Sequence, residues 1–69
     1  MSAEPGDRNE FHRAERLVSE GQDNVRRQRQ NITWRRSKGL DTRHSEDLLT
    51  SFETSLTLSQ TNLAKIRTV

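Results

Sequence analysis

The chain has 69 residues, a formal charge of +2 and no cysteine; 28% of its residues are hydrophobic and 32% charged. Such a chain builds one small domain at most, and neither a disulfide scaffold nor a thiolate metal site is open to it. No apolar run approaches the ~18 residues that cross a bilayer, and the N-terminus has no signal-peptide core, so a cytoplasmic protein with no membrane partner is expected.

In chain order, residues 1–8 read as a disordered lead-in holding Pro5 and Gly6. Asn9 is the expected N-cap of a first helix over about residues 10–37, with Glu10 in its first turn. Phe11, Val18, Val25 and Ile32 recur every seven residues, with Ala14, Gly21, Gln28 and Arg35 between them. This is the a/d spacing of a heptad repeat, although only the a row is apolar throughout. Gly21 in mid-helix costs about 1 kcal/mol relative to Ala, so something is expected to pack closely there.

The stretch 38–42 contains Gly39-Leu40-Asp41-Thr42 and reads as a turn. Gly39 supplies the left-handed residue that ends a helix, and Asp41 or Thr42 caps the next one. A second helix is expected over about residues 43–68. Its seam consists of Leu49, Leu56 and Leu63, interleaved with Ser45, Phe52, Ser59 and Ile66. Between Thr54 and Ala64 it is uncharged and rich in Ser and Thr, which are mediocre helix formers and need packing from outside the helix.

Folding the chain about residue 40 brings together residues whose numbers sum to about 80. Val18 then meets Leu63, Val25 meets Leu56 and Ile32 meets Leu49. Ala14 faces Ile66, Gly21 faces Ser59, Gln28 faces Phe52, and Arg35 faces Ser45. Buried in this seam, Gln28 needs a hydrogen-bond partner. One flank pairs Glu15 with Arg67, Arg29 with Glu53, and Arg36 with Glu46, each of opposite sign. Exposed pairs of this kind set register more than they stabilise. The expected fold is therefore all-α, an antiparallel two-helix hairpin of coiled-coil type. Its core is Phe11, Ala14, Val18, Val25, Ile32, Leu49, Phe52, Leu56, Leu63 and Ile66.

The other flank has no charge at its centre. Leu17, Asn24 and Asn31 lie beside a stripe of Leu48, Ser51, Ser55, Leu58 and Asn62. A lone hairpin leaves this surface wet and has a small core, so a homodimer closing into a four-helix bundle is expected. Leu17, Leu48, Ser51, Ser55, Leu58 and Asn62 form the face for the second copy or for a protein partner.

Catalytic and metal chemistry find no footing. His12 and His44 fall at opposite ends of the hairpin, and no phosphate loop or nucleophile–base set is present. No enzyme activity, cofactor or metal is expected. Charge is unevenly spread, however. Residues 26–43 hold seven bases, Arg26, Arg27, Arg29, Arg35, Arg36, Lys38 and Arg43, against Asp41. Arg26, Arg27, Arg35, Lys38 and Arg43 make a basic patch near the hinge, with Trp34 placed to stack on a base. The leading expectation is a non-enzymatic interaction or structural module working through self-association and helix-face binding of a protein. Nucleic-acid binding by the basic hinge end is the alternative.

Gly21, Arg27-Gln28-Arg29, Gly39-Leu40-Asp41-Thr42, Leu48-Leu49 and Phe52-Glu53 stand in this order along the chain. In this the sequence resembles a group of short uncharacterised proteobacterial helical-hairpin proteins. Those share a glycine, an Arg-Gln-Arg, a Gly-x-Asp-Thr turn and a Leu-Leu-x-x-Phe-Glu segment. The resemblance covers about 45 residues; it implies a helical-hairpin fold and a bacterial origin, and it carries no activity with it.

Overall fold

Two apolar seams of heptad spacing, separated by a helix stop and a helix start, give two helices. In the computed structural model, which describes residues 4–68 and the side chains of 9–67, α1 spans Glu4–Ser37 and α2 spans Arg43–Thr68. They fold back on each other into a hairpin 57 Å long and 16 by 14 Å across. The start of α1 differs from the sequence expectation. The helix already runs at Glu4, so Asn9 lies inside it rather than capping it, and residues 4–8 of the expected lead-in are helical. Pro5 permits this because it falls in the first turn, where its missing N–H has no intrahelical acceptor to satisfy. Residues 1–3 of that lead-in lie outside the described residues.

The hinge is a glycine-terminated helix end followed directly by a cap. Gly39 has φ +71°, and its amide donates to the Arg36 carbonyl at 3.1 Å while the Leu40 amide reaches back to the Arg35 carbonyl at 2.9 Å. This pair of bonds is the Schellman arrangement, which satisfies carbonyls that a helix end otherwise leaves open. Capping of α2 is divided between the two candidates. The Asp41 carboxylate accepts the Arg43 amide at 3.0 Å, and the Thr42 carbonyl accepts the Glu46 amide at 2.8 Å as the first bond of the helix.

The packed seam follows the heptad. Ala14, Val25, Ile32 and Ser45 are buried, and the other expected seam positions from Phe11 to Ile66 are half-buried. Val25 and Leu56 line one groove, as the fold about residue 40 requires. Gly21 faces Leu56 rather than Ser59. A Cβ built on Gly21 stands 3.1 Å from Leu56 Cδ1 and 3.6 Å from its Cα, so the helices approach closely at this glycine. Gln28 finds its partner across the seam, donating from Nε2 to the Ser45 carbonyl at 2.8 Å. Asn31 Nδ2 lies 3.5 Å from Ser45 Oγ, so Ser45 is enclosed by amide side chains. Arg35, expected to face Ser45, turns instead toward the Asp41 carbonyl of the hinge at 3.5 Å.

Candidate functional site

The two flanks of the hairpin differ in what they present. On the charged flank Arg29 Nη2 donates to Glu53 Oε2 at 3.0 Å and Arg36 Nη2 to Glu46 Oε2 at 2.9 Å, two of the three expected cross-helix pairs. The third does not form: among the described residues Glu15 and Arg67 make no ion pair. Beside the Arg29–Glu53 pair, on its side away from the hinge, runs an open groove of about 670 Å³, lined by Gln22, Val25, Arg26, Arg29, Glu53 and Leu56 among others.

Glu46 ties the hinge to this flank. Its carboxylate accepts the Thr42 hydroxyl at 2.7 Å as well as Arg36, and its carbonyl accepts the Thr50 hydroxyl at 3.2 Å. The Thr42 hydrogen bond, followed by that from Arg36, holds the Glu46 carboxyl below the usual range. The result is a bracket joining the end of α1 to the first turn of α2.

The basic residues are less free than the sequence suggests. Arg26 is paired with Asp23, one helical turn earlier, and Arg27 donates to Asn24 Oδ1 at 2.9 Å. Acceptors three residues back on the same helix are the local reason. With Arg35 directed at the Asp41 carbonyl, Lys38 and Arg43 are the two side chains of that set with no partner among the described residues. Trp34 is 55% exposed on the last turns of α1. An open hollow of about 490 Å³ beside it is lined by Arg29, Gln30, Thr33 and Ser37.

The opposite flank carries the exposed aliphatic side chains. Leu17 is 46%, Leu48 39% and Leu58 66% exposed, and Ser51, Ser55 and Asn62 are exposed between them. Leu17, Leu58 and Asn62 meet around a shallow hollow of about 170 Å³ whose floor is Ala14 and Ser59. An adjoining hollow of about 280 Å³ is walled by Leu17, Asn62, Ile66, Glu10 and Arg13. The heptad thus gathers the expected partner face into one surface drawn from both helices. Its centre is uncharged, and charged side chains lie along its rim.

Among the described residues no helix is long and apolar enough to cross a membrane, and no group of three or more His, Cys, Asp and Glu side chains stands where it would hold a metal ion. The hollows described above are open depressions on the helix surfaces. Comparison with models of known families, with curated proteins and with solved structures finds no match to this chain.

Proposed function

We propose that this chain is a small non-enzymatic module that acts through self-association, a second copy covering the uncharged flank to give a four-helix bundle. One observation carries the reading: Leu58, Leu17 and Leu48 stand exposed on a single face with no charge at its centre, while Ala14, Val25, Ile32 and Ser45 are the buried residues among those described, and each keeps a few per cent of its surface. A two-helix core of that size is marginal alone, and small scaffolds commonly gain the remainder by oligomerising. A different protein presenting an amphipathic helix is the competing occupant.

Sedimentation equilibrium tests the choice. The expected result is a species of twice the 8.0 kDa chain mass at micromolar concentration. Leu58→Asp, which places a charge at the centre of the face, is expected to shift it to single chains with a loss of helicity on dilution. A fully helical 8.0 kDa species at all concentrations overturns the self-association reading.

A further inference from the structure

We infer that the two copies lie with their hinges at opposite ends, α1 packed on the partner's α1 and α2 on the partner's α2, about a two-fold axis through the Asn24–Ser55 layer. The inference rests on the self-association proposed above and gives it a geometry. Two hairpins joined by the same flank have two such two-fold solutions. With the hinges together, each α1 lies on the partner's α2. With the hinges apart, like helices meet and run antiparallel.

The charges left over within one chain distinguish the two. The side chains of Glu10, Arg13, Glu20 and Lys38 make no hydrogen bond or ion pair among the described residues, and that of Arg27 touches only the neutral Asn24. They occupy two adjacent rows on α1 at heptad spacing: Glu10, Leu17, Asn24, Asn31 and Lys38 in one, Arg13, Glu20, Arg27 and Trp34 in the next. Asn24 is the midpoint of the first row, and the second is centred within half a residue of it. Reversing one copy about that midpoint sets Glu10 opposite the partner's Lys38 and Glu20 opposite the partner's Arg27. Arg13 then faces the partner's Trp34, a cation over an aromatic face that is 55% exposed in the single chain.

On α2, Ser55 is the midpoint of Leu48 and Asn62, and the same reversal places Ser51 against the partner's Leu58. Asn24 and Ser55 also lie in one layer of the hairpin, so a single axis serves both helices. The hinges-together solution has no such agreement: it sets Glu20 against the partner's Leu58.

Single-cysteine variants read the geometry directly, since the chain has no cysteine of its own. Under mild oxidation Asn24→Cys is expected to form a disulfide with its own copy. Leu17→Cys is expected not to pair with itself but to join Asn31→Cys in an equimolar mixture. In parallel, Glu20→Arg and Arg27→Glu are each expected to weaken the dimer about 3- to 30-fold, the contact occurring twice, and the double variant to recover it. Pairing of Asn24→Cys with Ser55→Cys in place of self-pairing, or no recovery in the double variant, overturns the geometry while leaving self-association standing. Single chains for the parent at every concentration sink the self-association itself.

Discussion

Replacing Gly39 isolates one term of the hinge. Its φ of +71° lies in the left-handed region, and a Cβ added there meets nothing within 4 Å. Steric repacking is therefore absent, and the change in stability is that of the backbone alone. An L-residue held in this conformation loses about 1–2 kcal/mol. Gly39→Ala is expected to cost about that amount, and Gly39→Asn distinctly less because Asn tolerates the region through local hydrogen bonding. A chain of 69 residues is within reach of chemical synthesis, so D-alanine can be placed at the same position. For a D-residue this φ is the favoured hand, and restricting the unfolded chain is expected to stabilise by about 0.4–1 kcal/mol. The assay is denaturant unfolding followed by far-ultraviolet circular dichroism at one fixed protein concentration, so that the proposed self-association, which would make the midpoint concentration-dependent, enters every measurement equally. Two substitutions of identical composition and opposite sign leave little room for another explanation. Equal stability for the L- and D-alanine proteins would refute the hinge assignment.

Gly21 sets two effects against each other. Ala gains about 1 kcal/mol of helix propensity, while its methyl requires Leu56 Cδ1, now 3.1 Å away, to move by a few tenths of an ångström. That methyl is the flexible end of a half-buried side chain bordering an open groove, so Gly21→Ala is expected to be neutral or stabilising by up to about 1 kcal/mol. Gly21→Leu, pressed against the Leu56 backbone, is expected to lose about 1–3 kcal/mol; thermal unfolding of the pair in the wrong order contradicts the close approach. The hinge bracket gives a pH dependence. A carboxyl held lower in the folded state than in the unfolded one stabilises above its unfolded value, and that contribution disappears as pH falls through the folded value. Thr42→Val is therefore expected to raise the Glu46 midpoint, read by carboxyl carbon chemical shifts, more than Arg36→Gln does. An unmoved midpoint in Thr42→Val removes the hydroxyl as the leading cause.

The hairpin was legible because three signals agree. The a/d rows fix which faces meet, Gly39 marks the stop, and the Arg29–Glu53 and Arg36–Glu46 pairs fix the register near the hinge. What escaped is finer than those signals. Heptad phase leaves the axial offset of a layer open by about half a turn, which is why Leu56 rather than Ser59 faces Gly21. Local acceptors also compete with distant ones: Asp23 and Asn24, three residues back on the same helix, engage Arg26 and Arg27, and no count of basic residues reveals that. The early start of α1 was hidden by Pro5, read as a breaker when at a helix start it is a permitted first-turn residue. The uncharged flank was legible as a gap in the charge pattern, and Leu17, Leu48 and Leu58, placed on it by their spacing, are exposed.

Because every cross-helix contact spans the same bend, sequence separation climbs steadily along the molecule, from 10 residues between Arg36 and Glu46 to 24 between Arg29 and Glu53. Each layer closed shortens the loop that the next must close, so assembly is expected to run from Gly39 outward, with amide exchange fastest toward Phe11 and Ile66, at the ends furthest from the hinge. In the hinges-apart pair inferred above, that loosest end of one copy would rest on the firmest end of the other, and each chain's tendency to peel open would be held shut by its twin.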